Sequence, residues 1–272
     1  MMRSLWTAAS GMIAQQTSVD TISNNLANVN TTGYKTQTAE FKTLLYQDLQ
    51  TKTTTANGEN KPIPAEVGLG VRNASITAHF TQGSFMESSS DTAFAINGDG
   101  FFAVQGTDGE TYYTRNGDFT YAIGTQGMML TTSEGMPVLD TTGKPIVFDT
   151  AQYDMSKVKV TSDGRFGYLD NENNYVDIGI QIGLFQFNNP AGLNKMAGSL
   201  YSETAASGQA INESVTDTVK KSSIKNGYLE GSNVQVADEM VNLIVAQRAY
   251  EMNSKAIQAA DEMLSQANQL RR

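Results

Sequence analysis

The sequence predicts an α+β protein, with long N- and C-terminal helices forming a coiled-coil layer around an inserted, mainly antiparallel all-β domain. Three observations carry this. Residues 233–270 contain no Gly and no Pro, so nothing there breaks a helix. Both ends of the chain repeat apolar residues every seven positions, the pattern of supercoiling helices. Between them, apolar residues alternate or form short runs separated by turn dipeptides, the punctuation of hairpins.

In the C-terminal stretch, Val236, Leu243, Tyr250, Ile257 and Leu264 are spaced by seven, and Ala246, Ala260 and Ala267 follow three of them at three residues. The opposite face holds Asp238, Arg248, Glu251, Lys255 and Glu262, with Glu251 and Lys255 four apart in the favourable order. Ser232 or Asn233 is the expected N-cap. At the other end, residues 2–29 form the first helix, with Leu5, Met12, Val19 and Leu26 spaced by seven and Gly11 a mild weakness. Asn28, Asn30 and Gly33 close it.

Neither seam has a partner within its own segment. The first is expected to meet the last, in this subunit or a neighbouring one, and the polymerisation interface is placed on these two series. Asn24, Asn25 and Asn28 lie next to or within the N-terminal seam. They either hydrogen-bond across the helical layer and fix register, as single buried polar groups do in coiled coils, or only end the helix.

Residues 40–49 read as a short second helix, with Phe41, Leu44, Leu45 and Asp48 three and four apart. Residues 50–65 read as a loop or extended arm. From Val71 the period becomes two, through Ala74, Ile76, Ala78 and Phe80. Short apolar runs follow at 93–96, 101–104, 112–113, 119–122, 128–130 and 146–148, with Asn97-Gly98, Asp108-Gly109, Asn116-Gly117 and Asp163-Gly164 between or beside them. The longest strand signal is Val176, Ile178, Ile180, Ile182 and Leu184, whose other face holds Gly179 and Gly183 and so expects a close neighbour. Residues 222–229 are a last strand. The expected organisation is a helical domain from 1–32 and 233–272, connecting arms at 33–70 and 211–232, and a β-rich domain at 71–210. The helical ends are expected to be mobile in dilute monomer, leaving a protease-resistant core near 70–210.

Composition narrows the function. The chain has 272 residues, with 19 basic and 28 acidic side chains and a net charge of −9. Beyond Lys220-Lys221 and Arg271-Arg272 there is no basic cluster, which disfavours nucleic acid and polybasic membrane attachment. Cysteine is absent, which excludes disulfides and thiolate chemistry. No apolar run reaches the ~18 residues of a membrane span. Arg3 and the apolar residues after it continue as a periodic helix and are read as mature protein, not as a cleavable signal.

No enzyme is legible. His79 is the lone histidine and lies on the polar face of a predicted strand. Gly68-Leu69-Gly70 and Gly98-Asp99-Gly100 do not extend into a phosphate-binding fingerprint. Asp170, Glu172 and Asn174 alternate like a calcium loop but lack its glycine and terminal glutamate. The catalytic, cofactor and metal assignments are therefore none, and no small-molecule substrate is expected. The rival readings are an extracellular binding module using the β domain and a wall-cleaving enzyme with a carboxylate cleft.

Two segments say more than periodicity. Ser23-Asn24-Asn25-Leu26-Ala27-Asn28-Val29-Asn30-Thr31-Thr32-Gly33-Tyr34-Lys35 resembles the N-terminal signature of the bacterial flagellar rod and hook family. Ser232-Asn233-Val234 and the run Ala246-Gln247-Arg248-Ala249-Tyr250-Glu251-Met252-Asn253-Ser254-Lys255-Ala256-Ile257 resemble its C-terminal signature. Gly98-Asp99-Gly100-Phe101-Phe102 and Tyr113-Thr114-Arg115-Asn116-Gly117-Asp118-Phe119 are similar to the opening of its β domain. Residues 130–220 carry little that matches.

The resemblance implies a structural subunit of the distal rod, or else another rod or hook-like axial protein. Such subunits form a hollow helical homopolymer that transmits torque from motor to hook and conducts exported subunits. The implied partners are copies of the chain itself, proximal rod proteins and the hook protein. During assembly they include the rod cap and the flagellar type III export apparatus, with bushing rings where the envelope carries them. The implied location is the extracytoplasmic basal body, in periplasm or cell wall, reached without a cleavable signal peptide.

Overall fold

The computed structural model describes residues 2–50, 65–124, 127–149, 158–169, 175–216 and 219–269. The chain divides into two compact units: Met1–Ala27 with Gln37–Ala78 and Gln235–Arg272, and Asn28–Thr36 with His79–Val234.

The first unit holds both helices, α1 (Met2–Ala27) and α2 (Val236–Gln269). It also holds four strands, β1 (Gln37–Thr43), β2 (Tyr46–Gln50), β3 (Ala65–Gly68) and β4 (Val71–Ala78). The absence of helix breakers lets α2 run for 34 residues, about 50 Å at 1.5 Å per residue. The helix expected at 40–49 is not there. That segment is the end of β1 and most of β2, paired antiparallel with β4 and β3. Three apolar residues at helical spacing cannot outweigh a distant strand that supplies backbone partners from Gln37↔Ala78 to Thr43↔Val71. Phe41 sits where the ladder shifts register, beside Glu40. Most of the expected arm, residues 51–64, lies outside the described residues.

The expected cap of α2 is also corrected. Glu239 donates its N–H to the Gln235 carbonyl at 3.0 Å, so the helix opens at Gln235, later than Ser232 or Asn233. Asn233 is committed elsewhere. Its Oδ1 accepts the Thr36 N–H at 2.7 Å, and its Nδ2 donates to the carbonyls of His79 at 2.9 Å and Thr81 at 3.2 Å.

The second unit carries the remaining strands in chain order. They are β5 (Phe85–Glu87), β6 (Phe94–Asn97), β7 (Phe101–Gln105), β8 (Thr111–Thr114), β9 (Phe119–Gly124), β10 (Gly127–Thr132), β11 (Val147–Phe148), β12 (Val158–Val160), β13 (Arg165–Leu169) and β14 (Tyr175–Gln181). After them come β15 (Leu184–Gln186), β16 (Asn194–Lys195), β17 (Leu200–Ser202), β18 (Ile211–Asn212), β19 (Ser223–Asn226) and β20 (Tyr228–Glu230). The largest sheet has the order β16-β17-β8-β7-β15-β18. Three-stranded sheets β11-β10-β9 and β12-β13-β14 and the ladders β19-β6 and β20-β5 complete the described residues. The ladders are antiparallel.

β7 is buried on both faces, which explains its unbroken apolar run. Phe102 and Val104 enter one core with Phe94, Phe119, Phe148 and Phe166. Phe101 and Ala103 enter the other with Tyr113, Phe187 and Tyr201. Gly183 meets a close neighbour as expected, since a Cβ there would stand 2.5 Å from the Asp140 carbonyl oxygen. Gly179 does not: its surroundings are open, and it is needed for a φ of +82°. The last strand breaks into β19 and β20 at Gly227, whose φ is +75°.

Candidate assembly interface

Within the first unit α1 and α2 form an antiparallel pair. Gly11 lies against Asn253, where a Cβ would stand 2.9 Å from Nδ2. Asn25 lies against Glu239. These contacts are fourteen residues apart on each helix, so the register is continuous. Gly11, read from sequence as a weakness, is what lets the helices approach at this level. Small side chains hold the centre of the contact: Ala8, Ala14, Ala246 and Ala260 are buried. The larger seam residues Leu5, Met12, Val19, Leu26, Leu243 and Ile257 ride half-buried beside them. Val236, Tyr250 and Leu264 are exposed, at 40, 43 and 37 %. The line covered best runs through Glu239, Ala246, Asn253 and Ala260, again at a spacing of seven.

Asn25 is 1 % exposed, and its side-chain amide stands in for a β-strand neighbour. Oδ1 accepts the Gln37 N–H at 2.9 Å, and Nδ2 donates to the Gln37 carbonyl at 2.8 Å. Nδ2 also donates to the buried Glu239 carboxylate at 3.3 Å. One side chain thereby ties α1 to the start of β1 and the start of α2. The Asn28 Oδ1 accepts the Thr31 hydroxyl at 3.1 Å, in the turn that follows α1. Asn24 lies on the exposed side of α1. Between the helices Gln16, Val19, Gln247, Tyr250 and Glu251 line a groove of about 400 Å³.

The second unit has its own polar centre. The Lys35 ammonium donates to Glu230 at 2.7 Å and to the Thr81 carbonyl at 2.8 Å. The Arg115 guanidinium donates to the other Glu230 oxygen at 3.2 Å and to the Gly98 carbonyl at 2.8 Å. Gly83 adds its N–H to Glu230 at 3.0 Å. All three side chains are at most 1 % exposed. Burial holds the Lys35 pKa below the usual lysine value, against the pull of Glu230. Arg115 also lies 5.2 Å from the centre of the Phe101 ring. Gly33 has a φ of +70°, and a Cβ there would stand 2.8 Å from the Arg115 backbone. Sequence reasoning quoted Lys35 and Arg115 only as parts of motifs and missed Glu230, whose role depends on partners 195 and 115 residues away.

Among the described residues, no three His, Asp or Glu side chains converge where they could hold a metal ion. The backbone N–H of His79 donates to the Thr36 carbonyl at 2.9 Å. The Asp170–Asn174 segment weighed as a calcium loop lies outside the described residues, with all three of its candidate ligands. A cleft of about 950 Å³ in the second unit is lined by Glu110, Tyr112, Tyr113, Met196 and Glu203 among others.

Three family descriptions match the chain. Residues 5–35 match "Flagella basal body rod protein", residues 95–168 match "Flagellar hook protein FlgE/F/G D1 domain", and residues 225–270 match "Flagellar basal body rod FlgEFG protein C-terminal". The flagellar basal-body rod protein FlgG of Borreliella burgdorferi is 43 % identical over 274 residues, covering 100 % of both chains. That of Agrobacterium fabrum is 39 % identical over 97 % of each chain. The Bacillus subtilis protein of the same name is 36 % identical over 100 % of each.

Proposed function

The chain belongs to the flagellar basal-body rod family, and we propose that it is the structural subunit of the distal part of that rod. It is a structural protein of the basal body and not an enzyme, and it assembles into the rod with other flagellar proteins. The observation that carries the reading is similarity over the whole length to rod proteins, from α1 to α2.

In this reading the subunits polymerise into a hollow helical tube. Terminal helices form its inner coiled-coil layer through Leu5, Met12, Val19, Leu26, Val236, Leu243, Tyr250, Ile257 and Leu264, with Asn24, Asn25 and Asn28 helping to set register. Contacts that repeat without closing give filaments rather than rings. The tube transmits torque and conducts exported subunits. It meets proximal rod proteins at one end and the hook protein at the other, after delivery by the type III export apparatus beneath a rod cap. Where the envelope has bushing rings, it passes through them. Cleavage within Met2–Ala27 would strip α2 of its partner, so α1 stays in the assembled subunit. No described helix is long and apolar enough to cross a membrane.

The test is genetic and visual. Deleting the chain from its own bacterium should abolish motility and leave basal bodies that lack the distal rod and hook, and restoring it should rescue both. A motile deletion strain with complete basal bodies would overturn the reading.

A further inference from the structure

The cleft of about 950 Å³ in the second unit wraps the start of β8. Side chains alternate along a strand, so Tyr112 and Tyr113 enter opposite faces of the sheet, and both border the cleft. In the β8-β17-β16 ladders Tyr201 pairs with Tyr113 and Ser202 with Asn194, which brings Ser202 and Asn194 to the same opening. The loop 203–209 forms another wall, and its own hydrogen bonds hold it in place. The Thr204 hydroxyl donates to the Gly192 carbonyl at 2.6 Å. The buried Ser207 hydroxyl donates to the Thr204 carbonyl at 2.9 Å and accepts the Thr204 N–H at 3.0 Å. A Cβ at Gly192 would stand 2.8 Å from the Ala206 backbone, so the loop lies directly on that glycine. The cleft is therefore formed before anything enters it, and its size falls in the range of small-molecule sites, roughly 300–1,000 Å³.

Two features point to what fills it. The first is charge. Glu110 and Glu203 are exposed in the lining, and no described Lys or Arg side chain lines the cleft with them. Neither carboxylate forms an ion pair among the described residues. The second feature is Tyr113. It is only 6 % exposed, and its ring packs edge-on against Phe187 at 4.8 Å. Among the described residues its hydroxyl nevertheless has no hydrogen-bond partner. A buried phenol ordinarily has one. Burial first, and then the Glu203 charge, push the Tyr113 pKa up to about 12, so the hydroxyl lies within the field of that carboxylate. We propose that the cleft binds an alkylammonium group, whose N–H donors are accepted by the Glu203 carboxylate and the Tyr113 hydroxyl oxygen, with Glu110 adding a second negative charge. A free aliphatic polyamine and a lysine side chain both carry this group. An anion would meet two carboxylates and no described cation. A metal ion is a poor occupant, because no three His, Asp or Glu side chains converge among the described residues. The amine is a ligand here and not a substrate, and the site does not depend on the rod reading.

Calorimetric titration of the full-length protein at low salt tests this. 1,5-Diaminopentane should bind saturably at one site, and 1,5-pentanediol, of the same length but uncharged, should not. Glu203→Gln should weaken the diamine about tenfold, since it removes the charge from the strongest hydrogen bond. Tyr113→Phe should weaken it several-fold. Circular dichroism and melting of both variants should match wild type, because Glu203 is exposed and Phe keeps the ring packing. Nα-acetyl-lysine methylamide that binds as tightly as the diamine would assign the cleft to a lysine side chain, and binding by the diamine alone would assign it to a free polyamine. Equal binding of the diol, an unchanged affinity in Glu203→Gln, or no saturable binding of either amine would overturn the site and leave the rod reading standing.

Discussion

Asn25 and Glu239, 214 residues apart in sequence, meet at 3.3 Å in the buried start of the helix pair. The same amide satisfies both backbone groups of Gln37. Asn25→Ala should strand these groups and destabilise the protein by about 2–4 kcal/mol, read as a lower thermal or urea midpoint. Asn25→Asp should be worse near neutral pH, because it sets a second carboxylate beside Glu239. An Asn25→Ala midpoint equal to wild type would refute the clamp.

The Lys35–Glu230–Arg115 centre predicts a second loss. Glu230→Ala leaves two buried cations without their shared anion, and breaking such a cluster costs about 3–5 kcal/mol. Lys35→Met should cost less, because it removes the cation whose pKa burial already depresses. Chemical denaturation of the three proteins checks the ranking, and a harmless Glu230→Ala would contradict it.

Proteolysis follows from the same centre. The sequence alone expects a resistant core near 70–210. Lys35 and Glu230 bond each other in the buried interior of the second unit, and Asn233 bonds Thr36. The resistant fragment should therefore reach from near residue 28 to near residue 234, with any early cuts in the helices. Mass spectrometry of limited digests reads the ends, and a stable fragment lacking Lys35 or Glu230 would be the contrary result.

Alkali should unfold the second unit between pH 10 and about 12. Burial pushes the hydroxyls of Tyr113, Tyr121 and Tyr201 up to about 12 from an ordinary value of 10.0. A raised folded-state pKa contributes stability that is complete below 10 and is lost as pH rises through the folded value. Phenolate absorbance and loss of β circular dichroism should therefore rise together in that window. Tyrosines that all titrate near 10 while the fold persists would be incompatible with their burial.

What the sequence discloses here follows the range of the forces involved. The two helices are legible because a seven-residue repeat and the absence of breakers are local facts, and β4 and β7 announce themselves by alternation and by an apolar run. Residues 40–49 misled because their strand pairing depends on 65–78. The centre of the helix contact was hidden for a different reason. Periodicity draws attention to Leu243 and Tyr250, whereas close approach is set by Gly11, Ala246 and Ala260, whose importance lies in what they lack. Glu230 has no local signal at all, and Asn233 looked like a cap until its distant partners were placed.

The most direct test of the account is electron microscopy of purified, concentrated protein beside an Ile244→Asp, Val245→Asp double variant. Both residues are more than half exposed in the single subunit, so the variant should keep its helical circular dichroism and melting. Wild type should form straight hollow tubes and the variant none. Tubes from both, or from neither, would contradict the claim that the exposed apolar faces of the terminal helices build the polymer.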